Sequence, residues 1–184
     1  MQQRILLGTA DATVQQTILI KPIVPSTQNV KEQESSMNIS SVPMKLTFQR
    51  TQGTVNILPV GLDKDGRMVV KDGLETASWY RNSAIPGNSG NSLIAGHRDW
   101  KGELGDFQYL ETIQKNETVL IQYEDKEIRT FQVVEKNVYP MNEVPEAVMN
   151  IQGESRVTLI TCTGEFIREK GGYQSRIIVI LQLV

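Results

Sequence analysis

From Lys45 to the C-terminus, short runs of apolar and β-branched residues alternate with residues that favour turns. The clearest runs are residues 46–48, 55–60, 92–97, 118–123, 128–139, 157–161 and 176–181. Runs of this length and composition are typical of β-strands. Many short strands with few helices favour a mainly β fold that closes into an antiparallel barrel.

A few segments between these runs are predicted to be helical. We expect a helical turn over residues 75–81 and a short helix over residues 106–111 that begins at Asp106. The long connection over residues 140–155 is expected to hold another short helix, over residues 143–150. The sequence therefore predicts one to three short helices around the barrel.

Turn residues predict how some of the strands are connected. Residues 63–66 carry a turn signal, after which residues 67–70 are expected to return as a strand. Residues 118–123 and 128–139 are expected to pair as a hairpin, because four polar and charged residues separate them.

The first 44 residues differ in composition from the rest of the chain. They are rich in Gln, Ser, Thr and Asn, and Pro22, Pro25 and Pro43 interrupt them. Such a composition favours a flexible extension over a packed core. The sequence therefore predicts a linker over residues 1–44 and one folded domain over residues 45–184, long enough to bury a core.

Charge and cysteine content exclude several classes of function. The formal net charge is −2, from 19 basic and 21 acidic residues, so the chain lacks the basic character of a nucleic-acid-binding protein. One cysteine cannot form an intrachain disulfide. Because the sequence has only one cysteine and one histidine, we do not expect a structural zinc site, and we predict no metal site.

The single cysteine, Cys162, directly follows the apolar run 157–161. Because Thr163 and Gly164 favour a turn, we expect the strand to end at the thiol. A free cysteine is most often a small buried hydrophobe, so Cys162 alone does not define a catalytic site. However, His97 ends another strand-like run, and Arg176 opens a third.

The segments around these three residues resemble the signature segments of sortases, the cysteine transpeptidases that attach proteins to the cell wall of Gram-positive bacteria. The segments are Ala95-Gly96-His97-Arg98, Thr158-Leu159-Ile160-Thr161-Cys162 and Tyr173-Gln174-Ser175-Arg176. The resemblance covers roughly residue 56 to the C-terminus. Residues 59–68, and residues 79–81 followed by Pro86-Gly87, are similar to class F sortases more than to class A or B enzymes.

The resemblance implies a closed eight-stranded sortase-type barrel in which three strand ends meet in one cleft. Cys162 would be the nucleophile, His97 the group that exchanges protons, and Arg176 the donor to a substrate carbonyl or oxyanion. Three further residues are weaker candidates for substrate contact, namely Thr161, Ala95 and Gly96. Asp99 could orient His97, and residues 140–155 would form one wall of the peptide groove.

The implied reaction is acyl transfer. The thiol would cleave a signal similar to Leu-Pro-x-Thr-Gly between Thr and Gly, and an amine from a peptidoglycan precursor or a pilin lysine would resolve the thioacyl-enzyme. Covalent catalysis of this kind needs no cofactor. Calcium assists some class A enzymes, but the acidic residues Glu143, Glu146 and Glu154 make no convincing cluster.

The resemblance also implies a location at the extracellular face of the membrane. Sortases typically carry an N-terminal membrane anchor, but the sequence has no apolar run of about 18 residues or more. We expect a shortened form of a longer chain. The extension 1–44 is expected to be a plain linker; a lid over the groove is the alternative.

Two other functions stay open. A cysteine peptidase would use the same nucleophile and base with water as the acceptor. A non-catalytic all-β surface module would carry Cys162 as a buried structural thiol that reacts slowly with alkylating reagents.

Overall fold

The computed structural model describes residues 38–184, and over these residues the chain is built mainly from β-strands. The strands are β1 (Pro43–Phe48), β2 (Thr54–Val60), β3 (Thr76–Tyr80), β4 (Asn91–Gly96), β5 (Asp99–Trp100), β6 (Glu103–Leu104), β7 (Thr118–Tyr123), β8 (Ile128–Pro140), β9 (Arg156–Ile167) and β10 (Gly172–Leu183). One short α-helix, α1 (Glu146–Met149), and the 3-10 helices Asp106–Glu111 and Arg168–Lys170 accompany them.

Eight of the strands close into a barrel in the order β1-β2-β3-β4-β9-β10-β8-β7, and β5 pairs only with β6. The predicted mainly β fold and the closed eight-stranded barrel with short helices are confirmed. The expected antiparallel pairing holds for six of the eight neighbouring strand pairs, but β2 pairs with β3 and β4 pairs with β9 in parallel. Parallel pairs need a crossover that returns the chain to the same end of the sheet, and the segments 61–75 and 97–155 provide those crossovers.

Two local predictions, one in the first crossover and one in the strand that follows it, were wrong. Thr76–Tyr80 is strand β3 rather than a helical turn, because Thr, Trp and Tyr favour strands and β3 pairs with β2 on one side and β4 on the other. Residues 67–70 do not form a strand, since a single bridge between Leu62 and Met68 is their only ladder contact within the described residues.

The structure confirms the predicted hairpin and has short helices in both of the other predicted helical segments. The hairpin of β7 and β8 lies where the sequence placed it, and α1 lies inside the predicted helical segment 143–150. The predicted helix at residues 106–111 is a 3-10 helix with Gly105 at its N-cap, so Asp106 does not cap it. The Asp106 carboxylate instead accepts the backbone N–H of Thr54 at 3.0 Å.

Strand β9 does not end at Cys162, contrary to the prediction. It continues to Ile167 and pairs along its length with β10, so residues 163–175 are largely ladder rather than a long loop. The turn signal at Gly164 is accommodated inside the ladder: the pairing shifts register between Tyr173 and Ser175, and Gly164 has a φ of 82°. A glycine at a bulge takes this left-handed conformation without the steric cost of a Cβ.

Two apolar clusters lie on opposite sides of the barrel wall. The larger contains residues from all eight barrel strands, so it fills the interior. The second contains alternate residues of β4, β9 and β10, and Met68 and Met149 from the two long connections cover it. Because successive side chains of a strand point to opposite faces, the second cluster lies on the outer face of these three strands.

The predicted division at residue 44 remains a prediction, since residues 1–37 of the extension lie outside the described residues. Within the described part, Ile39 is 7% exposed and packs on the interior cluster. Its backbone N–H donates to Asn88 Oδ1, and Asn88 Nδ2 donates to its carbonyl, both at 2.8 Å. Ile39 therefore packs on the barrel although it precedes β1.

Candidate active site

The three predicted catalytic residues lie on, or directly after, three neighbouring barrel strands, β4, β9 and β10. Arg176 on β10 is the direct partner of Cys162 on β9. Strand β4 runs parallel to β9 with Ala95 beside Ile160, and His97 follows the last residue of β4. Because directly paired residues share a face of the sheet, the thiol and the guanidinium lie together on the outer face, next to the end of β4.

The three weaker candidates lie at the base of this site and are all buried. The Thr161 hydroxyl donates to the carbonyl of Gly96 at 2.8 Å, which ties β9 to β4 directly behind the thiol and the imidazole. A Cβ at Gly96 would lie 2.6 Å from the ring of Phe107, so this position has no room for a side chain. A direct role for Thr161, Ala95 and Gly96 in substrate contact remains a prediction.

The Cys162 thiol is buried between apolar side chains and the charged side chain of Arg176. It is 2% exposed, and burial raises its pKa because the thiolate loses its solvation. The neighbouring guanidinium of Arg176 acts in the opposite direction and lowers the pKa. The positive charge therefore offsets part of the cost of forming the nucleophilic thiolate.

Arg176 is held in place by its own strand. It is 2% exposed, and its Nη1 donates to the carbonyls of Tyr173 at 2.7 Å and Ser175 at 2.9 Å. Burial lowers its pKa, and the Cys162 group acts to raise it. These contacts fix the orientation of a buried cation beside the thiol.

The His97 ring is 4% exposed and stacks on Trp100, with 4.7 Å between the ring centroids. Burial lowers the pKa of His97; the charges of Asp72 and Asp99 and a looser contact with the Lys71 backbone act to raise it. Within residues 38–184, neither ring nitrogen has a hydrogen-bond partner of normal geometry. The lowered pKa keeps the imidazole neutral at pH 7, and in this form one ring nitrogen can accept a proton.

His97→Gln is expected to flatten the dependence of stability on pH between pH 7 and pH 5. Because burial lowers the His97 pKa, the unfolded chain takes up a proton near the ordinary value of 6.5 while the folded chain does not. Stability of the wild type is therefore lost as pH falls through this value, by up to about 1.4 kcal/mol per pH unit. Urea denaturation of both proteins at each pH measures this, and an unchanged slope in the variant would contradict the prediction.

A polar network that the sequence did not reveal surrounds the site. The carboxylate of Asp99 accepts the Tyr173 hydroxyl at 2.7 Å and Arg98 Nη1 at 3.4 Å, so it does not orient His97 by a hydrogen bond. Arg98 forms a two-pronged ion pair with Glu111, and the guanidinium lowers the pKa of that carboxyl. Arg98 and Tyr173 belong to the signature segments, but no sequence signal marks Glu111.

Within residues 38–184, no group of three or more His, Cys, Asp or Glu side chains is arranged to hold a metal ion. None of the helices in this part of the chain has the length and apolar character needed to cross a bilayer.

Comparisons with known proteins define the family. The model of the sortase domain matches residues 47–184. Sortase A from Corynebacterium diphtheriae is a similar solved structure, with 20% identity and a TM-score of 0.58 over 79% of this chain and 62% of that one. Sortase A from Listeria monocytogenes has 19% identity and a TM-score of 0.58 over 79% of this chain and 88% of that one. The sortase D5 transpeptidase of Clostridium perfringens has 22% identity and a TM-score of 0.56 over 78% of this chain and 79% of that one. No curated protein matches the chain. The chain therefore belongs to the sortase family, a family of cysteine transpeptidases.

At these identities the structural likeness shows the fold alone. The chain spans 62% of the corynebacterial sortase A and 66% of a sortase C1 from Streptococcus agalactiae. The neighbours carry the names of sortases A, C and D. The predicted similarity to class F remains a prediction.

Proposed function

We propose that this chain cleaves a sorting signal similar to Leu-Pro-x-Thr-Gly between Thr and Gly and transfers the Thr carbonyl to an amine. The observation that carries the proposal is the direct pairing of Arg176 on β10 with Cys162 on β9, beside strand β4, whose last residue directly precedes His97. Membership of the sortase family supports the same chemistry.

The first half-reaction forms a thioacyl-enzyme. The Cys162 thiol gives its proton to His97, and the sulfur attacks the Thr carbonyl carbon. Arg176 donates hydrogen bonds to the carbonyl oxygen as it gains negative charge. The C–N bond then breaks, and the imidazolium of His97 protonates the departing Gly amine.

The second half-reaction reverses these roles. A primary amine attacks the thioester carbonyl, His97 accepts the amine proton, and the tetrahedral intermediate expels the Cys162 sulfur. The proton on His97 returns to the thiolate, so the enzyme is regenerated without a cofactor. The proposed acceptor is an amine of a peptidoglycan precursor or a pilin lysine, at the outer face of the membrane of a Gram-positive bacterium.

Burial of Cys162 by itself also fits a non-catalytic module. The neighbouring groups favour catalysis. Burying the Arg176 guanidinium and the His97 imidazole costs solvation free energy, and a purely structural thiol would not require that cost. Perturbed titratable groups that converge on one nucleophile are typical of active sites.

Intact-mass measurement after mixing the protein with a Leu-Pro-x-Thr-Gly peptide tests the proposal. We expect an acyl adduct on Cys162 in the wild type, none in Cys162→Ala, and conversion of the adduct to an amide when a labelled amine is added. Hydrolysis without any amide product at high amine concentration would indicate a peptidase. A wild-type protein that forms no adduct would favour the non-catalytic module.

A further inference from the structure

The carboxylate of Glu111 bridges the two segments that carry the proposed nucleophile and proton acceptor. Its Oε1 accepts Arg98 Nε at 2.8 Å and the Thr163 hydroxyl at 2.7 Å, and its Oε2 accepts Arg98 Nη2 at 3.3 Å. Arg98 directly follows His97, and Thr163 directly follows Cys162. One carboxylate oxygen therefore links the residue next to the imidazole with the residue next to the thiol.

Glu111 lies on a firmly anchored element. The 3-10 helix Asp106–Glu111 buries Phe107 and Leu110 in the interior cluster. The ammonium of Lys136 on β8 donates to the carbonyls of Glu111 and Ile113, each at 3.0 Å, and so fixes the end of this helix. A carboxylate mounted on such a support can hold two other segments at a set distance.

The imidazole needs such a support because the β ladder ends before it. Strand β4 ends at Gly96, and its last residue paired with β9 is Ala95, opposite Ile160. Within the described residues, the His97 ring makes no hydrogen bond of normal geometry that would fix its orientation. Its position depends on stacking with Trp100 and on the backbone that Arg98 anchors.

The same network reaches the third residue of the site. The Arg98 guanidinium lies 5.5 Å from the centre of the Tyr173 ring, and its Nη1 donates to the Tyr173 hydroxyl at 3.4 Å. The carbonyl of Tyr173 accepts Nη1 of Arg176 at 2.7 Å. Contacts of Glu111 therefore reach the segments of His97 and Arg176 through Arg98, and the segment of Cys162 through Thr163.

We propose that Glu111 is a positioning residue for acyl transfer, which sets the separation of the His97 imidazole and the Cys162 thiol through Arg98 and Thr163. The proposal rests on the function proposed above. Burial of the Glu111 carboxylate is incomplete and its pKa is lowered by Arg98, so it stays charged across the neutral range and acts as a fixed acceptor rather than as an acid.

Glu117 offers a matched control in the same region of the chain. Its carboxylate also accepts an arginine, Arg50 Nη1 at 2.7 Å, and a hydroxyl, that of Tyr109, but neither partner adjoins a residue of the site. Both substitutions, Glu111→Ala and Glu117→Ala, remove one ion pair and one hydroxyl contact. A difference between them in catalysis therefore reports on the position of Glu111 and not on a general loss of ion pairs.

Steady-state kinetics with the sorting-signal peptide and an amine give the first readout. We expect Glu111→Ala to lower kcat by about 10- to 100-fold with KM changed by less than about twofold, because displacement of a reacting group by about 1 Å costs up to 100-fold. Glu111→Gln keeps acceptor oxygen and is expected to recover part of the loss. Adding Thr163→Val to Glu111→Ala is expected to lower kcat no further, since the two side chains act through one contact. Glu117→Ala should leave both constants within about twofold of the wild type.

The alkylation rate of Cys162 by iodoacetamide at pH 7 gives a second readout that needs no sorting peptide. We expect Glu111→Ala to slow alkylation by about 3- to 10-fold, because His97 takes the thiol proton less readily when it is displaced. The melting temperatures of Glu111→Ala and Glu117→Ala are compared to confirm equal folding. Faster alkylation, or equal losses in the two variants, would mean a merely structural role and would overturn the proposal.

These two readouts separate the proposal from the function on which it rests. A wild-type protein that forms no acyl adduct would refute the transpeptidase, while the alkylation rates would still decide whether Glu111 positions His97 against Cys162. A wild type that transfers acyl groups normally, together with a Glu111→Ala variant of unchanged kcat and alkylation rate, would refute the positioning role alone.

Discussion

Replacing Arg176 with alanine is expected to lower kcat for acyl transfer by about 1,000-fold, and replacing it with lysine by about 100-fold. The guanidinium is buried directly across the ladder from Cys162, where it can meet the negative charge that develops on the substrate carbonyl oxygen. Lysine keeps the charge but not the forked donor, and its ammonium cannot reproduce both contacts to the Tyr173 and Ser175 carbonyls in the same geometry. Single-turnover acylation with a sorting-signal peptide measures the loss.

The Arg176 variants should also change the thiol itself. Arg176 lowers the pKa of Cys162, so its removal raises that pKa further and shifts the pH dependence of alkylation to higher pH. Arg129→Ala is the control, because Arg129 on β8 pairs with Glu127 at 2.8 Å, away from the site. If an Arg176→Ala protein folds normally and forms the acyl-enzyme at the wild-type rate, Arg176 has no role in the mechanism.

The barrel could be predicted because its strands are encoded locally. Runs such as Thr118–Tyr123 have the composition of strands, and the structure has strands at those positions. The direction of pairing is not encoded in any one run: whether β4 lies parallel or antiparallel to β9 depends on the path of residues 97–155 between them. Local turn propensity at Gly164 was misleading for a related reason, since pairing with β10 continues the strand through a bulge.

The site, like the barrel, could be predicted from the sequence only in part. Cys162, His97 and Arg176 could be named from the segments around them. The pairing of Arg176 with Cys162, and the position of His97 at the end of the strand beside β9, follow only from the registers of three strands. Glu111 could not be named. A glutamate at the end of a short helix looks like any solvated carboxylate in sequence, and its contacts to Arg98 and Thr163 arise only when distant segments meet.

His97→Ala is expected to lower kcat/KM by about 1,000-fold at neutral pH and to change the shape of the pH profile. The pKa of His97 is lowered from 6.5 and that of Cys162 is raised from 9.0, both mainly by burial, so the resting pair is neutral thiol and neutral imidazole. The reactive pair of thiolate and imidazolium is a minor tautomer. Its population is constant between the two pKa values, and it declines below the lower and above the upper one.

The wild type should therefore show a broad plateau of kcat/KM through neutral pH. In His97→Ala no proton acceptor remains beside the thiol, so the rate should follow the thiolate fraction and rise about tenfold per pH unit up to the pKa of Cys162. Added imidazole should restore part of the activity of His97→Ala and none of that of Cys162→Ala, since free imidazole can replace the base but not the nucleophile. A His97→Ala protein that keeps the wild-type plateau would show that another group exchanges the proton and that His97 has no role in the reaction.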